Sequence, residues 1–405
     1  MKENIIALVD CDSFFVSCEQ AIDKSLQGKA VCVLSNNDGC VLARSKEAKK
    51  MGIKMGEPLF MAKKHSPDCI YLSGNYPLYS EFSRKVMEIL REFSPDVQVY
   101  SIDEAFVELS GLKKLHKANY LGIAEQIRDR IKTELDINVS IGISKSKVLA
   151  KLACERAKTE SKTRIHIISK SKIPVILKET KVQEIWGIGK NITRNFNREG
   201  ILTCDKLVEK SDEWLKAKFG KHGVELKHEL LGECIYKVKA DRTPPKSIQN
   251  TRSFPKFTSD LTYIKNALNI HIHTSCKRLR RFGGKCKTVS VMLRTKDFQI
   301  FYDKKNLKKA TNFELEISKT AIALLEKLYN KNLIYRSCGV TLEGLDFNEE
   351  SQLSLFTEEK EKDFDKLAQA IDKLEARFGK NIVKTGFTCT DDIEEKEKVE
   401  GQLFS

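Results

Sequence analysis

The chain has 405 residues and a formal net charge of +15, from 71 lysines and arginines against 56 acidic residues. This length allows several domains, and the basic balance suits a polyanionic partner and is unlike that of an acidic disordered chain. No apolar run reaches the length of a membrane span, and the apolar segment after Met1 is too short for a secretory signal. Twelve scattered cysteines without a C-x-x-C pair indicate reduced core residues, so we expect a cytoplasmic protein that has no membrane contact and no zinc site.

The first part of the chain alternates between strand and helix patterns. Apolar runs of four to six residues predict short buried strands, and apolar residues at helical spacing predict the helices between them. The predicted strands are residues 5–9, 29–34, 97–100 and 139–143, and the predicted helices are 45–51, 79–93 and 146–157. This alternation predicts an α/β fold.

Acidic residues follow two of these predicted strands. Asp10 and Asp12 come directly after the first strand, and Asp103 and Glu104 follow the strand at 97–100. Carboxylates at adjacent strand ends can converge on Mg²⁺, which takes oxygen ligands, and two such ions can clamp a phosphoryl displacement. Taken singly, either pair can also be solvated strand-end acids. A regular strand points Asp103 and Glu104 to opposite faces, so both reach one metal pair only if the chain turns into a hairpin there.

A Gly-x-Gly segment follows the α/β part. Gly187, Ile188, Gly189 and Lys190 have the pattern of a helix-hairpin-helix, in which backbone N–H groups at a helix N-terminus hold a DNA phosphate. An ordinary helix end is the alternative for so short a pattern. Lys190 and the helical pattern that runs from it to Gly200 favour the hairpin.

The second half of the chain begins with a polar, basic stretch containing Pro244 and Pro245, which has the composition of a tether. Four strand patterns and two helix patterns follow it and indicate an α+β domain. The strand patterns are residues 250–254, 289–294, 300–303 and 337–342, and the helix patterns are 262–282 and 313–330. The cations around Arg252 and at 277–281 suit DNA contact, although a charge run is more often a solvated face.

The tail carries two further patterns. Gln352, Leu353, Leu355 and Phe356 form the pentapeptide Gln-Leu-Ser-Leu-Phe, which supplies an amide and two apolar anchors for a pocket. A local hydrophobic contact is the alternative. Apolar residues at alternating steps of three and four then predict an amphipathic helix that packs on its own chain or on a partner; they are Phe364, Leu367, Ile371, Leu374 and Phe378.

The residues around the acids resemble those of a known family. The stretches 10–19 and 100–106 look like the two palm motifs of Y-family, translesion DNA polymerases. The stretch Val-Leu-Ser-Asn-Asn-Asp-Gly-Cys-Val at 33–41, with 47–49 and 51–56, resembles the UmuC branch, the catalytic subunit of bacterial DNA polymerase V. The pentapeptide at 352–356 matches the sliding-clamp motif of bacterial polymerases. The resemblance covers nearly the whole chain.

This resemblance implies a multidomain α/β fold, the right-hand polymerase with palm, small fingers, helix-hairpin-helix thumb and α+β little finger. The expected ranges are a palm with inserted fingers, or UmuC domain, at 1–165 with the fingers at about 21–74, a thumb at 166–236, a linker at 237–249, a little finger at 250–345 and a tail at 346–405. Gly187, Gly189, Lys190 and Arg252 are then candidate DNA contacts.

The resemblance also implies roles for the site residues. Asp10 and Asp103 would bridge two Mg²⁺ ions, with the backbone carbonyl of Cys11 as a further ligand, and Glu104 would hold the ion that activates the primer 3′-hydroxyl. Lys158 matches the triphosphate contact of the family. Lys49 and Lys46 occupy two further positions of this kind, where other branches commonly have arginine and tyrosine. Lys49 keeps the positive charge but lacks the two parallel N–H groups with which a guanidinium binds a phosphate. Lys46 is left without an assigned role.

Two adjacent rings are further nucleotide-binding candidates by the same resemblance. Phe15 lies five residues after Asp10, where the family places a bulky ring under the sugar of the incoming nucleotide, and Phe14 is equally bulky. Core packing is the alternative for either ring.

The function implied is template-directed, error-prone lesion-bypass DNA synthesis in SOS-type damage tolerance. Its expected partners are primer-template DNA, dNTP, a sliding clamp, a processed UmuD-like dimer and RecA, in the bacterial nucleoid. Two other classes stay open: an inactive DNA-binding adaptor, against which Asp10, Asp103 and Glu104 argue, and a nucleotidyl cyclase, in which the hairpin and clamp motifs would be idle.

Overall fold

The computed structural model describes residues 4–240 and 244–347, together with seven helical positions of the tail: Leu367, Ala370, Ile371, Lys373, Leu374, Arg377 and Phe378. Its contacts divide the chain into two compact units, Met1–Arg242 and Thr243–Ser405. Each unit has a hydrophobic core of its own. Within the described ranges, no helix is long and apolar enough to cross a membrane.

The first unit contains the predicted strands and helices, together with further strands and helices that the sequence patterns did not predict. The strands are β1 (Ile6–Cys11), β2 (Val31–Leu34), β3 (Val41–Arg44), β4 (Ile70–Ser73), β5 (Val97–Val99), β6 (Glu104–Glu108), β7 (Val139–Ser144) and β8 (Ile165–Ile167). The helices are α1 (Phe14–Ile22), α2 (Lys46–Lys50), α3 (Leu59–His65), α4 (Tyr76–Phe93), α5 (Tyr120–Leu135), α6 (Lys147–Glu160), α7 (Ile173–Glu179), α8 (Lys190–Arg198), α9 (Cys204–Val208) and α10 (Asp212–Leu230).

A mixed sheet with the strand order β5-β6-β1-β7-β8 lies at the centre of this unit. Successive residues of β1 alternate between its two faces, because side chains along a strand point to opposite sides. Ala7 and Val9 pack into the core that includes α1, α4 and α5, whereas Ile6 and Leu8 pack on the opposite face, where α6 lies. Gly142 of β7 permits the close approach of α6, since a Cβ there would lie 2.0 Å from the backbone nitrogen of Cys154.

A smaller sheet, with the order β3-β2-β4, lies between α1 and α4 in sequence. Its core contains Cys32, Leu34 and Val41 from the strands, Ala48 from α2 and Ala62 from α3. This segment therefore packs around apolar side chains of its own.

The helices α7 to α10 form the third part of the first unit. They enclose a core that includes Phe196, Leu207 and Leu215, and that continues into α6 through Leu149. Two glycines with positive φ shape these helices: Gly187 at +90° lies just before α8, and Gly220 at +64° kinks α10. Both angles lie in the left-handed region that glycine adopts without strain.

The second unit is an antiparallel sheet covered by two helices. Its elements are β9 (Ser247–Thr258), α11 (Leu261–Arg281), β10 (Cys286–Thr295), β11 (Ile300–Thr311), α12 (Glu314–Leu328) and β12 (Tyr335–Glu343), and the strand order is β11-β10-β12-β9. The apolar faces of α11 and α12 and one face of the sheet share a single core. The predicted α+β domain is confirmed. β9 begins within the predicted linker, and β11 continues eight residues past the predicted end at Asp303.

Candidate active site

Three carboxylates meet where neighbouring strands of the central sheet end or begin, along one side of the sheet. Asp10 near the end of β1 lies directly opposite Glu104, the first residue of β6. Asp103 lies in the bend between β5 and β6, and its carbonyl accepts a hydrogen bond of 2.8 Å from the N–H of Cys11. Strands β5 and β6 pair antiparallel, so the predicted hairpin at this point is confirmed. The hairpin is what brings Asp103 and Glu104 beside Asp10.

Two lysines of α6 offset part of the negative charge of this cluster. The Nζ of Lys158 lies 3.0 Å from Oδ2 of Asp10, and Lys151 forms an ion pair with Glu104. Burial raises the pKa of Asp10 to about 6, because the lowering effect of Lys158 does not compensate for it and because Glu104 and Asp103 add like charge. Burial lowers the pKa of Lys158, but Asp10 and Glu155 together more than offset it and raise that pKa overall. The cluster therefore has an excess of buried negative charge.

This cluster has the donor chemistry of a site for Mg²⁺. Carboxylate and carbonyl oxygens are the ligands that hard divalent cations prefer, and Asp10, Cys11, Asp103 and Glu104 offer both kinds. Among the residues that the structure describes, no three His, Cys, Asp or Glu side chains have the geometry of a ready-made metal site. Asp10 and Glu104 are engaged in their lysine ion pairs instead, so a cation would have to replace those contacts.

Asp12 belongs to a separate cluster. Its Oδ1 accepts a hydrogen bond of 2.8 Å from Ser140, and its Oδ2 lies 3.2 Å from the guanidinium of Arg164. Arg164 itself has a positive φ of 61°. The sequence analysis missed Arg164 and Lys151. Lysines at 147, 151 and 158 share one helix, but which of them reach the acids depends on how α6 packs on the sheet.

Lys49 and Lys158 belong to a group of mutually repelling cations. The Nζ of Lys49 lies 3.1 Å from the hydroxyl of Ser13, in the turn between β1 and α1. Burial lowers the pKa of Lys49, and Arg44, Lys158 and Arg164 lower it further, although Asp12 raises it. A polyanion bound among these cations would relieve that repulsion. Lys46 lies elsewhere, along a cavity of about 240 Å³ that Asp12 and Ser13 also line.

The two adjacent phenylalanines at the start of α1 have different surroundings. Phe14 is buried in the core of the first unit, whereas Phe15 is half-buried. The ring of Phe15 stacks on that of Tyr79, with centroids 4.5 Å apart and an interplanar angle of 18°. Tyr76 approaches Phe15 edge-on, with centroids 6.2 Å apart. Phe15 is therefore the one of the two that has a ring surface outside the core.

The predicted hairpin at 187–190 forms a sharp turn into a helix. Gly189 is the N-terminal cap of α8, and a Cβ at this position would meet no other atom within 4 Å. A surface depression of about 830 Å³ lies here, lined by Gly189, Lys190, Arg194 and Arg198 among others. The first N–H groups of a helix have no partner within that helix, so this basic depression has the chemistry of an anion site.

Arg252 lies on the face of the second sheet that the helices cover. It is paired in register with Cys338, whose side chain is fully buried beneath that face. The positive charge of Arg252 also contributes to the lowered pKa of His271 on α11. The neighbouring positions of β9 on the opposite face, Thr251 and Ser253, are exposed. The open face of this sheet at β9 is thus made of small polar residues and does not include Arg252.

The tail is described only in part. The pentapeptide at 352–356 and the residue Phe364 lie outside the described residues. Leu367, Leu374 and Phe378 lie in helical conformation, and their side chains are exposed and do not pack on the described part of the chain.

Comparison with known proteins agrees with this architecture. A model of the impB/mucB/samB family matches residues 9–155, and a model of its C-terminal domain matches residues 245–355. The chain belongs to this family. It is 31% identical over 391 residues to Protein UmuC of Salmonella typhimurium, with 94% of the chain and 92% of that protein covered. It is 33% identical over 384 residues to DNA polymerase IV of Dehalococcoides mccartyi strain CBDB1, with 94% and 96% covered.

Solved structures give the same fold. A Y-family DNA polymerase chimera superposes with a TM-score of 0.72 and 25% identity, covering 85% of this chain and all of that one. An insertion ternary complex of the Dbh DNA polymerase has a TM-score of 0.57 at the same identity and coverage. The fold is that of a Y-family polymerase, a multidomain α/β right hand, and the resemblance to Y-family and UmuC proteins is confirmed.

Proposed function

We propose that this chain, a DNA-directed DNA polymerase of the Y-family translesion type, extends a primer at the carboxylates Asp10, Asp103 and Glu104. The observation that supports this site is the meeting of the three acids at one sheet edge, formed by β1 and the β5–β6 hairpin. Phosphoryl transfer asks a protein mainly for positioning and for neutralisation of charge. Acids that gather at one edge can hold the cations that do both.

Y-family polymerases are in general metal-dependent nucleotidyltransferases, and the site suits two Mg²⁺ ions. Asp10, Asp103 and Glu104 would hold them through their carboxylates, with the backbone carbonyl of Cys11 as a further ligand. When bound, such ions lower the pKa of the attacking hydroxyl and neutralise the charge on the phosphates. Lys151 and Lys158 form ion pairs with Glu104 and Asp10, which limits the repulsion among the three carboxylates.

Lys158 and Lys49 are the proposed contacts for the triphosphate of the incoming nucleotide. Their Nζ atoms lie 3.0 Å from Asp10 and 3.1 Å from Ser13, on the two sides of the turn that precedes α1. Lys158 contributes to the lowered pKa of Lys49, which supports the proposal that both lysines act on one polyanion. Lys46 lines a cavity together with Asp12 and Ser13 and is given no phosphate role.

Phe15 is the proposed sugar gate. A bulky ring beneath the C2′ position of the nucleotide leaves no space for the 2′-hydroxyl of a ribonucleotide, so discrimination is steric. Phe14 is equally bulky, but its burial in the core supports Phe15, already favoured by its position five residues after Asp10, as the ring that meets a sugar.

DNA contact is proposed at the hairpin and along the second unit. Gly187 and Gly189 would present the N-terminus of α8 to a backbone phosphate, with Lys190 as a point charge; such contacts position a duplex without reading its sequence. In the second unit, the exposed Thr251 and Ser253 of β9 are proposed in place of Arg252, because their hydroxyl groups can donate hydrogen bonds to phosphate oxygens. Residues 1–165, 166–236 and 250–345 would then be palm with fingers, thumb and little finger.

The remaining partners follow from the family resemblance. We propose that Gln352, Leu353, Leu355 and Phe356 bind a sliding clamp, and that the polymerase works with a processed UmuD-like dimer and RecA in the bacterial nucleoid during the response to DNA damage. The similarity to Protein UmuC of Salmonella typhimurium supports such partners for the chain.

The direct test of this function is primer extension by the purified chain with Mg²⁺ and dNTP. The template should be used in two forms, undamaged and with an abasic site just ahead of the primer. We expect template-directed extension on both, and none after chelation of Mg²⁺. Specific binding to the primer-template without any extension, with or without a UmuD-like dimer and RecA, would instead identify a DNA-binding adaptor.

A further inference from the structure

The proposed sugar gate has a support that lies outside the nucleotide site. The ring of Phe15 on α1 stacks face to face on Tyr79 of α4, at 4.5 Å between centroids. Tyr79 is fully buried, whereas Phe15 is half-buried. One face of the gate ring therefore rests on a ring that belongs to the core.

The support is fixed by a buried carboxylate. The hydroxyl of Tyr79 donates a hydrogen bond of 2.7 Å to Oε1 of Glu19, a residue that is only 9% exposed. Glu19 lies four residues after Phe15 on the same helix, so the two side chains share one face of α1. Burial raises the pKa of Tyr79 well above its usual range, and Glu19 raises it further, so the hydroxyl remains a donor.

We propose that Glu19 is a positioning residue for sugar selection, which fixes Tyr79 so that Phe15 cannot yield to a 2′-hydroxyl. This inference rests on the gate role of Phe15 proposed above. A steric gate rejects a substrate only while its ring stays in place, because a shift of a fraction of an ångström removes the clash. Closely packed interiors resist such shifts when the neighbouring group is itself held. A hydrogen bond to a carboxylate is about twice as strong as one between neutral groups, which suits Glu19 for that task.

Three variants separate this role from a structural one. Tyr79→Phe keeps the stacked ring and removes the hydroxyl, Glu19→Ala removes the acceptor, and Glu19→Gln keeps an acceptor oxygen. The measurement is kcat/KM for a matched ribonucleotide and deoxynucleotide on the same preparation. A variant that merely lowers the folded fraction depresses both substrates alike and leaves their ratio unchanged.

We expect Tyr79→Phe and Glu19→Ala to raise the ribo-to-deoxy ratio by at least about threefold, since a threefold rise corresponds to about half of the barrier change of a tenfold effect. Glu19→Gln should restore a ratio close to wild type. An unchanged ratio in Tyr79→Phe and Glu19→Ala, or an equal rise in all three variants, would overturn the role of Glu19.

A second background tells the failure of this inference from the failure of the gate. On Phe15→Ala, where the gate ring is gone, adding Tyr79→Phe should change the ratio no further, because its effect passes through Phe15. An additional rise of the same size in this background would overturn the inference. If Phe15→Ala alone raises the ratio and Tyr79→Phe does not, the gate stands and the role of Glu19 is rejected. If Phe15→Ala leaves the ratio unchanged, the gate itself is rejected, and the inference with it.

Discussion

Neighbouring residues of this chain take different roles according to which element each side chain faces. Phe14 and Phe15 are identical in type, yet helix geometry turns the first into the core and leaves the second against Tyr79. Asp10 and Asp12 differ in the same way, because Asp10 lies beside Glu104 and Lys158 while Asp12 contacts Ser140 and Arg164.

The substitution Phe15→Ala tests the sugar gate at the scale of one residue. We expect measurable deoxynucleotide incorporation and a ribonucleotide incorporation raised at least about tenfold, since relief of one clash is worth more than about 1.4 kcal/mol. Steady-state incorporation of matched nucleotides measures both. Phe14→Ala is the control, because truncation of a core ring costs stability, about 3–5 kcal/mol, and should depress both substrates. Equal loss of both substrates in Phe15→Ala would give Phe15 a core role as well.

A buried histidine of the second unit predicts a dependence of stability on pH. Burial, with a contribution from Arg252, lowers the pKa of His271 to about 4, against about 6.5 in an unfolded chain. The unfolded state therefore binds more protons between these two values, and the free energy of unfolding falls as the pH decreases through that window. The loss should be about 2 kcal/mol at pH 5, relative to pH 7.

Urea unfolding of the full chain at several pH values measures this effect. The transition of the second unit should move to lower urea concentration between about pH 6.5 and 4, the window set by the two pKa values, and His271→Gln should flatten that dependence. An unchanged slope in His271→Gln would show that other groups are responsible for it.

The acids and rings of the site could be predicted from the sequence because each stands beside a recognisable apolar run. Their partners could not. Each of these partners is distant in sequence from the residue it contacts. Lys151 lies 47 residues after Glu104, Arg164 lies 152 residues after Asp12, and Tyr79 lies 64 residues after Phe15. Such contacts follow from the packing of α4 and α6 on the sheet, which short-range patterns do not specify.

At the scale of elements, the buried strands could be predicted best. β1 begins with a continuous apolar run, because both of its faces are covered, and β7 is buried along its whole length with isoleucines and small residues in alternation. β11 was predicted too short, since its second half carries Lys304, Lys305, Lys308 and Lys309, without apolar alternation. This strand is at the edge of its sheet, where lysines discourage pairing with another chain.

The helix-hairpin-helix gives a prediction for one element. Lys190→Ala should weaken primer-template binding to a similar extent for all sequences and lower the salt dependence of the binding constant by about one phosphate contact. Fluorescence anisotropy over a range of salt concentrations measures both. Lys206→Ala on α9, where Lys206 pairs with Glu209 at 3.0 Å, removes the same charge outside the hairpin and should have little effect. Equal losses in the two variants would indicate a general effect of charge only.

At the scale of the whole molecule, the excess of 15 positive charges is distributed over both units and supports a polyanionic partner for each. The family models likewise match both units, at 9–155 and 245–355. The architecture was predictable because the motifs occur along the chain in the same order as in Y-family polymerases. The role of the tail rests on sequence alone.

The tail predicts an activity that depends on a clamp. Leu355→Ala with Phe356→Ala should remove the two apolar anchors and weaken processive synthesis on clamp-loaded DNA, while incorporation on a short primer without clamp stays unchanged. Leu403→Ala with Phe404→Ala changes the same two residue types in a segment that lacks the spacing of the motif, and should alter neither activity. A loss of both activities in the first variant would make residues 352–356 part of the fold.

The most direct test of the account is nucleotide incorporation by Asp103→Ala, measured together with primer-template affinity. The proposed site predicts that incorporation falls at least about a hundredfold, because the carboxylate acts on the transition state, while affinity stays within a few-fold. Asp96→Ala, an exposed acid just before β5, should retain both. Extension by Asp103→Ala at a rate near that of the wild type would contradict the assignment of this carboxylate cluster as the catalytic centre.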